Sequence, residues 1–414
     1  MGTVDRTNLR SVVEREIGRV KLTDVHTHLY PDAFGELVLW GIDDLLTYHY
    51  LIAEYFRYSP MTYRQFFSLS KAEQADQVWR TLFIDHSPVS EAQRGILTTL
   101  TKLGLDVASR DLKTYREFFR SLSPEEYIDR VFELSKVEEV VMTNDPFDSK
   151  ERTVWGAEGH SDRRFKGALR LDALVNNYGQ SYAQLQAGGY NVSKDLDKES
   201  IEQVKSFLRD WVTKIDAVYM AVSLPPVFTV PEDSIRSRVI EKCVLPVCQE
   251  LEIPLAMMIG VNKLVNYKLG LAGDGLGKAN TRVIEYLCRA YPDNKFLVTM
   301  LSRENQHELA VMARKFSNLM IFGCWWFLNN PGLVDEVTRM RIETLGLSFI
   351  PQHSDARVLD QLIYKWDHAK ATIADVLVEK YTDLLNTNWV LTEEEISRDI
   401  EDLFRNNFWS FLKR

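Results

Sequence analysis

KLTDVHTHLY, residues 21–30, is a short apolar run that ends in two histidines one residue apart. Read as a β-strand, it sends alternate side chains to opposite faces, so His26 and His28 share a side and converge on one point beyond the strand. A metal ion fits there. Composition alone yields roughly 0.15 His-x-His pairs in such a chain, which disfavours chance.

After His28 the pattern changes. FGELVLWGIDDLLTYHYLIAEYFRYS (34–59), AEQADQVWRTLF (72–83), EAQRGILTTLTKLGLD (91–106) and PEEYIDRVFELSKV (124–137) repeat apolar residues at intervals of three and four, the period of amphipathic helices. Strand-like runs then resume, each followed by a helical pattern: EEVVMTND, RFKGALRLD, DAVYMAVSL, PLAMMIG, KFLVTML, LMIFGCWW and LSFIPQHSD. With the first, they make eight buried-type runs, and eight strands alternating with helices predict an α/β fold, a (β/α)8 TIM-like barrel. A doubly wound sheet is the rival, but the polar tips fall at C-terminal strand ends, where a barrel puts its active site. The chain then reads as one domain, 1–414, with a helical insertion at 36–135 capping the mouth. The stretch from ATIADVLVEKYTDLLN to FWSFLKR predicts closing helices.

The composition agrees. Among 414 residues, 45% are hydrophobic and 26% charged, the balance of a soluble globular protein. A net charge of -9 without a basic tract argues against nucleic acid as partner. No apolar run is long enough for a membrane span and the first twenty residues lack a secretory pattern, so a cytoplasmic protein is expected. Cys243, Cys248, Cys288 and Cys324 show no metal or disulfide spacing and read as reduced core residues.

Each strand end offers chemistry. The second gives Asn144 and Asp145, the third Arg170 and Asp172, the seventh Trp325 and Trp326, and the eighth His353, Asp355 and Arg357. His26, His28 and Asp355 supply two imidazoles and a carboxylate, a partial ligand set that leaves positions open. Asp355 could equally cap a helix. Arg170 and Arg357 could grip a carboxylate or form structural ion pairs. His49 and Tyr50, inside the helical block, could relay a proton only if each reaches the substrate separately, since adjacent helical residues do not face each other. His86, His160, His307 and His368 read as surface or structural. GLAGDGLGKAN (270–280) lacks the Lys-Ser/Thr ending of a phosphate loop and reads as a mobile loop near substrate.

Taken in order, DVHTHLYPD, YHYLIAEYFR, LRLD, GCWWFLNNPG and SDAR resemble the uronate isomerases of the amidohydrolase superfamily, along the whole chain. The resemblance implies an aldose-ketose isomerase that converts D-glucuronate to D-fructuronate and D-galacturonate to D-tagaturonate. It implies one divalent metal, zinc, on His26, His28 and Asp355, and a substrate lined by His49, Tyr50, Arg170, Trp325 or Trp326, and Arg357. A small sugar acid as partner and a homo-oligomer are expected. One departure stands out: Met258 occupies the place of a histidine common at the fifth strand's end, with Lys263 near a frequent arginine. The expected reaction passes through a cis-enediol, with Tyr50 as first choice of base, its phenol acidified by Arg357 or helped by His49, and Asp355 as second. The alternatives are a mononuclear metal-dependent hydrolase or decarboxylase of the same superfamily, and a non-catalytic sugar-acid binder.

Overall fold

Runs of Val, Leu, Ile and Met buried on both faces form a central parallel sheet, because only a sheet covered on both sides can hide such continuous apolar sequence. The computed structural model describes residues 2–157 and 159–414. Seven strands pair in sequence order: β1 (Leu22–Thr27), β2 (Val137–Asn144), β3 (Phe165–Arg170), β4 (Ala217–Leu224), β5 (Leu255–Ile259), β6 (Phe296–Met300) and β7 (Leu319–Ile321). Every ladder is parallel. Helices follow the strands as crossovers, the (β/α) arrangement that the strand-like runs predict.

The eighth run differs from expectation. It makes one parallel bridge, Phe322 with Ile350, and no ladder. Pro351 follows at once and has no N–H to offer on the side of β1; on the other side the Gln352 side chain accepts from the Cys324 N–H at 2.9 Å. Gly323 N–H donates to Ile350 O at 2.9 Å, but its carbonyl, where the next rung would fall, accepts from Arg341 Nη1 at 3.0 Å. Gly323 sits at φ +67°, and a Cβ there would lie 2.0 Å from the His353 ring. On its other side the segment does bond to β1: Asp355 N–H donates to His26 O at 3.1 Å, and His28 N–H donates to Ala356 O at 2.7 Å. The ring thus closes through an irregular eighth segment.

Between β1 and β2 lie the predicted helices, including Ile42–Leu46, His49–Tyr55, Lys71–Trp79, Glu91–Lys102, Leu112–Arg120 and Pro124–Ser135. Several starts are legible locally. Ser70 with Glu73, Ser90 with Gln93, and Ser123 with Glu126 form capping boxes that satisfy the first free N–H groups. The block docks on the closing helix Gln361–Leu385, where Gly95 admits the Tyr364 ring so closely that a Cβ would lie 2.5 Å from it. At one end of the chain Thr3–Val4 pairs antiparallel with Leu391–Thr392. The four cysteines are buried and free.

Asp360 ties these parts together. Its carboxylate accepts from Gly41 N–H at 2.8 Å and from the Tyr127 hydroxyl at 2.5 Å, both within the block after β1. Burial outweighs these bonds and pushes the carboxyl up to about 6 from an ordinary 3.8. Folding therefore favours the protonated form: this stabilisation is complete below the unfolded value and lost as pH rises through about 6. Between about pH 4 and about pH 7, wild-type protein is expected to lose up to about 3 kcal/mol relative to Asp360→Asn, read by urea denaturation.

Candidate active site

β1 ends at Thr27, so His26 sits in its last turn of pleat and His28 just beyond it. Their rings meet edge to face with centroids 5.4 Å apart. Asp355 Oδ1 lies 3.7 Å from His26 Nε2 and 3.4 Å from His28 Nε2. All three donor atoms fall within 4.8 Å of one another. Burial and His28 push the His26 imidazole down to about 3, and burial and Arg357 push His28 well below its ordinary value. Both rings are thus neutral, the form that ligates a metal, and two neutral imidazoles beside a carboxylate fit a divalent cation.

The carboxylate is aimed by a strained backbone. Asp355 has φ 50°, which a non-glycine residue adopts only when its surroundings fix it. Here they do. Ser354 N–H donates to Asp24 Oδ1 at 3.0 Å, Lys365 Nζ to Ser354 O at 2.6 Å, and Ala356 N–H to Ser354 Oγ at 3.1 Å. Asp24 is itself held by the Trp366 indole N–H at 2.8 Å. This explains the φ without an N-cap role for Asp355: the cap of the following helix is Asp360.

His26, His28, His49, Arg170, Trp325, Trp326, Asp355 and Arg357 line one cavity. Tyr50 does not; it faces an adjoining chamber that shares His49, Trp326 and Asp274 as its partition. Arg170 meets Asp172 through Nε at 3.2 Å and Nη2 at 3.4 Å, so the ion-pair reading of this arginine holds, and Asp172 raises its basicity further. Arg357 and Lys263 also border the cavity, as does Met258 at the end of β5. The glycine-rich stretch forms a small hairpin, Val261–Asn262 against Gly275–Leu276, which brings Leu271 and Asp274 to the rim.

The sequence reading of the Tyr50 phenol needs correction. Burial, then Tyr48 and Asp355, push it well above its ordinary value, and the opposing effect of Arg357 is smaller than each of these. Tyr50 therefore keeps its proton. Its hydroxyl and His49 Nε2 are both buried without a hydrogen-bond partner among the described residues, and burial brings His49 down to about 3.

The other candidates separate from the site. Asn144 and the Asp145 N–H bind Glu151, which Tyr30 also holds at 2.8 Å, and burial raises Glu151 to about 7. His353 packs beside Phe322 and His26 inside the barrel. His86 and His307 are exposed, His160 rests against Trp155, and His368 pairs with Glu91 at 2.6 Å. Lys365, Asp24 and Asp274 were missed. Lys365 and Asp24 lie inside otherwise apolar runs, and a buried charge in such a run is the signal that marks them.

The fold has close counterparts among solved structures. The crystal structure of a uronate isomerase from Bacillus halodurans C-125 superposes with a TM-score of 0.98 and 56% identity, covering 100% of this chain and 98% of the other. The chain belongs to the uronate isomerase family. Two more distant structures share the fold: a uronate isomerase from Thermotoga maritima (TM-score 0.78, 14% identity, 98% of this chain and 97% of the other) and a glucuronate isomerase from Caulobacter crescentus (TM-score 0.76, 13% identity, 99% and 94%). No family model and no curated protein sequence matches the chain. Within the uronate isomerase family, then, this chain presents its buried His-His-Asp group beside two arginines. Replacing Asp355 by Ala is expected to weaken the protein's affinity for added Co2+ at least about tenfold, read from the metal's visible absorption.

Proposed function

We propose that the protein is a zinc-dependent isomerase that interconverts D-glucuronate with D-fructuronate and D-galacturonate with D-tagaturonate. The observation that carries this reading is a single cavity in which His26, His28 and Asp355 lie beside Arg170 and Arg357. Two imidazoles and a carboxylate suit zinc, and two guanidiniums suit a sugar acid. The 56% identity to a uronate isomerase supports the same reaction. In this reading the helical segment 36–135 caps the mouth, and the enzyme is a cytoplasmic homo-oligomer. No helix among the described residues is long and apolar enough to cross a membrane.

The open-chain substrate lies across the cavity with its distal carboxylate on Arg357 and on the face of Arg170 not spent on Asp172. Trp325 and Trp326 border the sugar and exclude water. His26, His28 and Asp355 would hold a divalent cation, which when bound would supply Lewis-acid polarisation of the substrate oxygens. The chain's own groups move the protons. One oxygen of Asp355 takes the proton from carbon 2; the C–H electron pair forms the carbon 1–carbon 2 double bond, and the carbonyl pair moves onto oxygen 1 as an enediolate. Oxygen 2 then passes its proton to oxygen 1, the oxygen 2 electron pair forms the carbon 2 carbonyl, and the double-bond pair at carbon 1 takes back the proton that Asp355 returns. His49, on the partition with an unpartnered Nε2, carries the proton between the two oxygens. Tyr50, in the adjoining chamber, acts as a hydrogen-bond donor behind it. Met258 cannot replace an imidazole in any of these roles, since a thioether neither accepts a proton at neutral pH nor binds zinc well.

Zinc-loaded protein in heavy water, followed by proton NMR with each uronate, tests this. Ketose should form with deuterium replacing the carbon 2 signal. Release of carbon dioxide or hydrolysis without ketose would favour the decarboxylase or hydrolase alternative, and ligand-induced stabilisation without turnover would favour a sugar-acid binder. Asp355→Asn should abolish carbon 2 exchange. His49→Asn should slow turnover by about 10²-fold, as loss of one acid-base group does, and Tyr50→Phe by less than His49→Asn.

A further inference from the structure

Two buried hydroxyls outside the ligand set touch the two histidines. His26 Nδ1 lies 3.2 Å from the Tyr219 hydroxyl on β4, and His28 Nδ1 lies 2.8 Å from the Thr143 hydroxyl on β2. Each hydroxyl has a second neighbour. Tyr219 Oη donates to Val25 O at 2.8 Å, and Thr143 Oγ1 donates to Thr27 O at 3.0 Å. Both carbonyls belong to β1, each directly preceding one of the two histidines, and the register between β1 and β2 breaks between Asp24 and Thr27.

A hydroxyl has one proton, and a carbonyl cannot donate. With that proton committed to the carbonyl, the hydroxyl can meet an imidazole nitrogen only as an acceptor. We infer that Tyr219 and Thr143 are positioning residues that hold both His26 and His28 as Nδ1–H tautomers, leaving each Nε2 lone pair directed at the point shared with Asp355 Oδ1. The reverse tautomer would oblige each hydroxyl to turn its proton to Nδ1, which would take a hydrogen bond from a buried backbone carbonyl. The two hydroxyls come from different strands and act on different rings by the same device. An ordinary core Tyr or Thr needs only one partner for its hydroxyl; these have two, and in both cases one is a carbonyl of β1 and the other the imidazole that follows it.

The inference deepens the metal reading under Proposed function and rests on it for its role, but the tautomers themselves can be read without metal. In metal-free protein labelled with 15N-histidine, long-range 1H-15N correlation should show a protonated Nδ1 and an unprotonated Nε2 for His26 and His28, assigned by His26→Asn and His28→Asn. Protonated Nε2 in either ring overturns the assignment for that ring. Metal affinity then tests the consequence. Tyr219→Phe and Thr143→Val should each weaken Co2+ binding about 10- to 100-fold, the usual cost of removing a group that orients a metal-bound histidine. Thr143→Ser, which keeps the hydroxyl, should restore it. Affinity within twofold of wild type in both Tyr219→Phe and Thr143→Val, or a Ser variant as weak as Val, overturns the proposed role. Wild-type protein that takes up no Co2+ would instead overturn the metal reading and leave the tautomer result standing on its spectrum.

Discussion

Two backbone hydrogen bonds carry the rest of the molecule: Asp355 N–H to His26 O and His28 N–H to Ala356 O. They join the first strand to the last segment, and so they close the barrel. They also place the carboxylate of Asp355 against both imidazoles. In this chain, closing the fold and composing the site are the same event, which is why the strain at Asp355 is tolerated. Ser354, bonded by Asp24 on one side and Lys365 on the other, leaves that backbone no easier conformation.

Burial governs the electrostatics of the site. The imidazoles are neutral because water is excluded, and Tyr50 holds its proton for the same reason. Arg170, Arg357 and Lys263 line the cavity together with Asp172, Asp274 and Asp355. The charges there nearly balance, so the site can be desolvated without a large unpaired field. An arginine already engaged by a carboxylate, as Arg170 is by Asp172, presents its remaining donors in a fixed direction.

The parts of this structure that repeat with a period were legible in the sequence. Apolar runs gave the seven paired strands, and capping signals gave several helix starts. The spacing of His26 and His28 gave their shared face. What escaped was set by contacts distant in the chain. The eighth run looks like its predecessors, yet it makes a single bridge, because the Gly323 carbonyl that would take the next rung is held by Arg341, distant in the chain. Tyr50 lies one residue from His49, yet only His49 also reaches the cavity of His26 and His28, a difference that no spacing rule reports. Lys365 and Asp24 read as interruptions of apolar runs until both are found on the same serine.

The join between residues 26 and 355 has a kinetic side. Contacts of such sequence separation form late, since nearly the whole chain must be ordered before they are reached. On a ribosome, β1 through β7 can emerge and pair with their neighbours while Asp355 is still unmade. The nascent chain would then carry His26 and His28 on an open sheet edge, without the carboxylate that lies against them in the finished fold. Synthesis of the last segment is thus what brings the carboxylate to the two imidazoles, and the open edge itself disappears in the same step.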